Sequence, residues 1–270
     1  MKNTAAAALV SLFLLLSTSV AKAQTFDAAK AYSDYQYQLS VYQQDYSDYQ
    51  DAKNFYMENP TLQLKEDARQ KTLKMLRDRD QLVATYLTAI RMQIVETTGL
   101  NDSQKGEIFG KIDSEVAWYQ GHIKNYLTSD ALTDLFNKSD ESKSRYTTNT
   151  TPIIDEGLFD IGLSQEIGLR KAHQQIYSDL KDYINQQVAA GKLKIDPFNR
   201  WLNDTDTVLT ELQTNESTGA TKIQAVYAQN YNQNSAYNDA IQILMSSIDP
   251  LNQLNSYLTE MLTSIQNQMQ

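Results

Sequence analysis

The chain has no cysteine and, in 270 residues, only two histidines, four prolines and nine glycines. Without cysteine there is no thiol nucleophile, no thiolate metal site and no disulfide, so apolar burial alone must hold the fold together. So few turn-forming residues, with strand signals nearly absent, disfavour sheet architectures. A Gly-rich phosphate loop, a Gly-x-Ser-x-Gly elbow and the Glu-x-x-His spacing of helical di-metal sites are all missing. Basic charge is short as well: 24 Lys and Arg stand against 33 Asp and Glu, a formal net charge of −9. A chain of that sign repels phosphate, which disfavours nucleic acid and anionic lipid as partners held by a broad electrostatic footprint.

What is present favours long helices. The apolar fraction is 41%, and Ala, Leu, Gln and Lys fill many windows. At the start, Lys2 precedes an apolar run from Ala5 to Val20, and Ala21, Lys22 and Ala23 form a small-x-small site before Gln24. This pattern predicts a signal peptide over residues 1–23 and an extracytoplasmic mature chain, periplasmic or secreted. Removing Lys2 and Lys22 takes the formal net charge from −9 to −11. No later stretch reaches the length of a membrane span, so no stable span is expected after cleavage.

The mature chain is organised around Thr25 to Glu58. Tyr32, Tyr35, Leu39, Tyr42, Tyr46, Tyr49 and Tyr56 recur there in steps of three and four, broken only by Lys53. A period of 3.5 keeps one helical stripe against a partner helix. Asn59 and Pro60 end this acidic helix, and Thr61 opens a basic one through Leu73, Leu76, Val83, Leu87, Ile90 and Ile94 to Gly99. The pair reads as an antiparallel hairpin that brings Tyr42 and Tyr46 near Leu73 and Leu76, with Tyr37 on the outer side.

A third helix is expected from a cap at Asn101–Ser103 through Ile108, Ile112, Tyr119, Ile123 and Tyr126. Residues 139–151 are polar, small and aperiodic, and read as a linker between an N-terminal region, 24–138, and a C-terminal region, 152–270, that together can form one bundle. Pro152 suits the first turn of the next helix, which carries Ile154, Leu158, Ile161, Leu169, Ala172, Ile176, Leu180 and Tyr183 and stops at Gly191. Asp196–Pro197 and Asp249–Pro250 repeat the start signal, with a soft spot at Asn215–Gly219 between them. From Tyr237 the positions Ile241, Leu244, Ile248, Leu251, Asn255, Leu258, Leu262, Ile265 and Met269 keep heptad phase, with Asn255 at an a position. The fold class is therefore all-α, an extended bundle with antiparallel coiled-coil hairpins and five to six helices.

No catalytic, cofactor-binding or metal-ligating residue is assigned. His122 and His173 each follow a glutamate, Glu115 and Glu166, by seven residues, two helical turns or roughly 10 Å, too far to share a metal. These histidines are expected to face solvent or cap helices, and the many carboxylates to lie on solvated faces. The tyrosines are expected to form a seam, and Trp118 and Trp201 to anchor packing. The leading reading is an exported, non-catalytic structural or interaction protein, with a protein partner or self-association through the C-terminal helix. A helical ligand-binding or sensor-like module is the alternative, and an α-helical membrane-attacking protein ranks last.

Overall fold

The computed structural model describes residues 25–228 and 233–269, and among them the fold is all-α with no strand. The expected signal segment lies outside the described residues. The helices are α1 (Thr25–Glu58), α2 (Leu62–Glu96), α3 (Asp102–Asn125), α4 (Leu132–Arg145), α5 (Thr151–Ala189), α6 (Asp196–Ile223), α7 (Gln233–Ser246) and α8 (Ile248–Met269). A π-helical turn, Tyr146–Thr150, joins α4 to α5, and a 3-10 turn, Gln224–Tyr227, extends α6.

Local signals in the sequence account for most of the ends. Thr61 caps α2 by accepting the Leu64 amide at 3.2 Å. Asn101 and Gln104 form a reciprocal capping box on α3, which satisfies two donors that no helical carbonyl can reach. Gly191, at φ 70°, follows α5, with amides of Gly191 and Lys192 returning to the carbonyls of Val188 and Gln187 at 2.9 Å. That is a Schellman stop, and the positive φ requires the missing Cβ.

Three expectations are corrected. Gly99 does not end α2 through a left-handed turn; α2 stops at Glu96, and Gly99 lets two backbones meet. A Cβ there would lie 2.1 Å from the Ser164 carbonyl oxygen, while the Ser164 hydroxyl accepts the Gly99 and Leu100 amides at 2.8 and 3.2 Å. The polar stretch 139–151 is no linker but helix throughout, because its small polar residues bury on one side: Ser142 and Thr150 are inside while Thr147, Thr148 and Asn149 face out. The soft spot is uninterrupted α6, where Gly219 lets the Phe159 ring approach closely.

Three apolar cores follow one another, threaded by the two long helices α2 and α5. The first joins Leu73, Met75 and Leu76 of α2 to Tyr126 and Leu135, with Tyr42 and Tyr49 of α1 against it. The second gathers Leu87, Ile90 and Ile94 of α2, Ile108 and Ile112 of α3, Phe159 and Leu163 of α5, and Ala236 and Ala240 of α7. It draws on both sides of 139–151. The third packs Tyr177, Leu180 and Ile184 of α5 with Leu209 and Leu212 of α6 and Leu254, Leu258 and Met261 of α8. Between the second and third cores lies a polar layer where Arg170 donates to both Glu216 oxygens at 2.5 and 3.0 Å. The α7–α8 break at Ser247 falls at the same level, and Asn215 donates to the Ser247 hydroxyl at 3.2 Å.

Candidate functional site

The hairpin is antiparallel in the expected register. Lys74 and Lys71 of α2 pair with Asp45 and Asp48 of α1, and the Tyr35 and Tyr86 rings lie 4.9 Å apart. The buried line on α1 differs from the expected one by half. Tyr35, Tyr42, Tyr49 and Tyr56 hold the interface or its edge, but the second row is Ala31, Gln38, Asp45 and Ala52. Tyr46 is 44% exposed and Tyr32 58%, and both lie on the neighbouring row. The physical reason is on the partner: α2 presents Lys71, Lys74 and Asp78, which pair with polar side chains rather than rings.

Beside the interface the rings form a ladder, Tyr32 to Tyr35 and Tyr42 to Tyr46 to Tyr49, with centroids 6.0–6.1 Å apart. On other faces of α1 stand Tyr37, Phe55 and Met57, with Leu62 at the start of α2, all exposed. Because α1 packs along α2 and touches other elements only marginally, most of its surface meets solvent. Its exposed acids Asp34, Asp51 and Glu58 lie among these apolar side chains.

Inside the molecule, α3 carries a polar row through its apolar seam, since Glu115 and His122 keep the phase of Ile108, Ile112, Tyr119 and Tyr126. Glu115 accepts both Nε and Nη2 of Arg145 at 2.7–3.1 Å and the Thr150 hydroxyl at 2.6 Å. The Thr150 hydroxyl also meets Tyr119 at 2.9 Å. The Arg145 guanidinium lies 5.1 Å from the Trp118 ring, which stacks on His122 at 4.6 Å. His122 Nδ1 is 2.6 Å from Asp80, whose other oxygen accepts the Ser142 hydroxyl at 2.8 Å. With the carboxylate accepting, Nδ1 carries a proton; Nε2 is 3.7 Å from Glu141 and has no hydrogen-bond partner among the described residues. Ser142 points at the aspartate, not the imidazole, so the column ties α2, α3 and α4 together rather than activating a hydroxyl nucleophile.

This column corrects two expectations. His122 is buried, not solvent-facing, although His173 is partly exposed with Nδ1 2.8 Å from the Leu169 carbonyl. Several carboxylates are interior rather than solvated: Asp45, Asp80, Glu115, Glu156, Glu166 and Glu216. The 4, 3, 4 spacing of Glu115, Tyr119, His122 and Tyr126 was the sequence signal that could have revealed the row. Glu156 is bound by Lys111 at 2.6 and 2.9 Å, by Gln224 at 3.0 Å and by the Tyr227 hydroxyl. Glu166 has neither oxygen hydrogen-bonded among the described residues, and burial pushes it up to about 7.

Trp118 and Trp201 do anchor packing; the Trp201 indole also donates to Glu260 at 2.5 Å. The C-terminal seam turns inward to α5 and α6 of its own bundle, but again half a row differs. Ala240, Ser247, Leu254 and Met261 are buried, while Ile248 is 53% exposed and Asn255 faces solvent. Asn255 therefore occupies no buried a position, and the heptad reading of the expected row is corrected.

Two open clefts stand apart from the column. One, of about 530 Å³, lies between the end of α2 and mid-α5, lined by Glu96, Thr97, Thr98, Ser164, Gln165 and Gly168. The other, of about 510 Å³, lies at the α5–α6 turn beside Gln268. Among the described residues no group of three or more His, Asp or Glu side chains is placed to hold a metal ion, and no helix is long and apolar enough to cross a membrane. No family model, curated protein or solved structure matches the chain.

Proposed function

We propose that this is an exported, non-catalytic helical protein that works by binding another protein through the solvent-exposed surface of α1. One observation carries the reading: a 34-residue helix, roughly 50 Å long, is supported on a single side and exposes Tyr32, Tyr37, Tyr46, Phe55 and Met57. Aromatic side chains of this kind are the ones that anchor protein interfaces. The C-terminal helix is the weaker candidate, because its apolar stripe is spent on the third core. Export rests on the Lys2–Ala23 pattern.

The test is photo-crosslinking in the native host, with a photoreactive residue at position 37 or 55 and, as control, at Arg200 of α6. A discrete crosslinked protein from 37 and 55, absent from 200, is expected. Equal crosslinking at all three positions would overturn the α1 reading. N-terminal sequencing of the extracytoplasmic fraction should begin at Gln24, and recovery only in the cytoplasm would overturn export.

A further inference from the structure

The two ring nitrogens of His122 have different surroundings. Nδ1 is 2.6 Å from Asp80 of α2, which also accepts the Ser142 hydroxyl of α4 at 2.8 Å. Trp118 stacks on the imidazole with centroids 4.6 Å apart at 11°, and Tyr126 meets it edge-on at 4.9 Å and 78°. The ring is thereby fixed in orientation and in tautomer, since the carboxylate takes the Nδ1 proton and leaves Nε2 with a lone pair. That Nε2 is buried and has no hydrogen-bond partner among the described residues. A buried acceptor left unpaired costs free energy until something binds it.

One carboxylate lies beside it. Glu141, the residue before Ser142 on α4, places Oε2 3.7 Å from Nε2, and the Glu141 side chain is 62% exposed. The gap is too long for a hydrogen bond. It is close to the separation of two ligands on one metal ion. With zinc about 2.0–2.1 Å from nitrogen and about 2.0–2.2 Å from oxygen, a tetrahedral angle sets the ligand atoms about 3.4 Å apart. A small turn of the exposed Glu141 side chain closes the difference. No Lys or Arg among the described residues pairs with Glu141. The guanidiniums of the column are engaged elsewhere, Arg145 with Glu115 and Arg79 with Asp80 and Ser139.

The surroundings of Nδ1 match those of a metal-bound histidine, whose far ring nitrogen is held by a carboxylate that is itself hydrogen-bonded. The donor set selects the ion. Calcium and magnesium are held by oxygen alone, about six atoms or more, and here one of the two donors is an imidazole nitrogen. Imidazole with carboxylate, in a chain without cysteine, suits zinc and its first-row neighbours.

We propose that His122 Nε2 and Glu141 bind one divalent cation of the zinc class, with Asp80 and Ser142 positioning the imidazole and water completing the coordination. The ion clasps α3 to α4. The site is separate from the α1 surface proposed for protein binding. Spacing along the chain sets Glu115 too far from His122 to share a metal with it; the second ligand comes instead from the next helix.

The experiment is titration of the mature chain, first stripped with EDTA and dialysed, with zinc chloride at neutral pH, against magnesium chloride at equal ionic strength. Calorimetry reads the binding, and NMR of the ring nitrogens reads the two histidines separately. Saturable binding of one zinc per chain is expected, with the His122 ring shifted, the His173 ring unmoved and the melting temperature raised. Glu141→Gln should weaken zinc binding by about tenfold or more, the scale on which even outer-shell losses act. His173→Gln should leave it unchanged. Circular dichroism checks folding; Glu141 is a surface residue, so its variant decides the matter even where His122→Gln fails to fold. No saturable zinc binding, equal affinity in folded Glu141→Gln and wild type, or binding that is lost in His173→Gln would overturn the proposal.

Discussion

The Nζ of Lys71 on α2 lies 2.7 Å from the carboxylate of Asp48 on α1, in the same antiparallel register that pairs Lys74 with Asp45 and brings Tyr86 onto Tyr35. The register is thus written in charges on one row and rings on the next. Truncating the two kinds of tyrosine should therefore have different effects. Tyr42→Ala removes a ring packed against Leu73 and Leu76 and should cost about 2–3 kcal/mol, whereas Tyr46→Ala should cost less than about 1 kcal/mol. Urea unfolding of the two variants checks this, and equal losses would mean that Tyr46 is buried.

The Glu115–Arg145 pair makes a second prediction. Glu115 is 1% exposed, and Arg145→Met would leave its charge buried with only hydroxyl support, a loss of about 3 kcal/mol or more. Removing both charges with Glu115→Leu and Arg145→Met should recover much of it, since an apolar replacement avoids the desolvation cost. A double variant no more stable than Arg145→Met would show that Thr150 and Tyr119 depend on the carboxylate itself.

Stability should rise as the medium becomes mildly acidic. Burial pushes Asp78 and Asp155 up to about 6, and Asp160 and Glu166 up to about 7. A group raised on folding contributes stability that is fully present below its unfolded value near 4 and lost as pH climbs through its folded value. The loss therefore falls between pH of roughly 5 and 8. Below about 4 the opposite set takes over, because Asp130, bound by Lys138, and Asp48, bound by Lys71, are held low and lose their contribution on protonation. Melting should peak near pH 5, several degrees above its value at pH 8, and Asp160→Asn should flatten the slope (~1 kcal/mol). A melting temperature that rises from pH 5 to 8 would contradict the assignment.

Glycine substitutions should split sharply. Gly99→Ala drives a Cβ into the Ser164 backbone and should cost several kcal/mol, about the scale of a disrupted core. Gly121→Ala meets nothing within 4 Å on an exposed turn of α3 and should stabilise by roughly 0.8 kcal/mol through helix propensity. Thermal melts of the pair suffice, and equal effects would remove the close-approach argument.

Truncation after Ile248 should not simply change oligomeric mass. It removes Leu254, Leu258, Met261 and Ile265, all in the third core, so the shortened chain should lose helicity beyond the deleted residues and aggregate. Circular dichroism with light scattering distinguishes this from a cleanly folded product of altered mass.

The sequence made helix boundaries and the hairpin legible because caps, stops and register are local: Thr61, Asn101 and Gly191 act within a few residues of themselves. The choice of buried row was less legible. In α1 and α8 alike, one row of the seam was identified, Tyr35–Tyr56 and Leu244–Ile265, and its companion misplaced by one residue. Apolar size favoured Tyr32, Tyr46 and Ile248, whereas Asp45, Ala52 and Ser247 are the ones inside. Small and charged residues enter when the opposing helix supplies a close backbone or a lysine, and that information lies in the partner. The same holds for Asp80, His122 and Ser142, contributed by three helices with no shared local motif.

The π turn between Arg145 and Thr151 makes residue number there as important as residue identity. Deleting one residue from it would restore a regular helix and swing α5 by about 100° relative to α4, carrying Ile154 and Phe159 off the second core while Ser142 kept its place. Evolutionary drift in this stretch is therefore free in letters and constrained in length. Diverged copies of this chain should vary at Thr147, Thr148 and Asn149 while conserving the count of residues from Ser142 to Ile154, and a gap there would mark a differently arranged bundle.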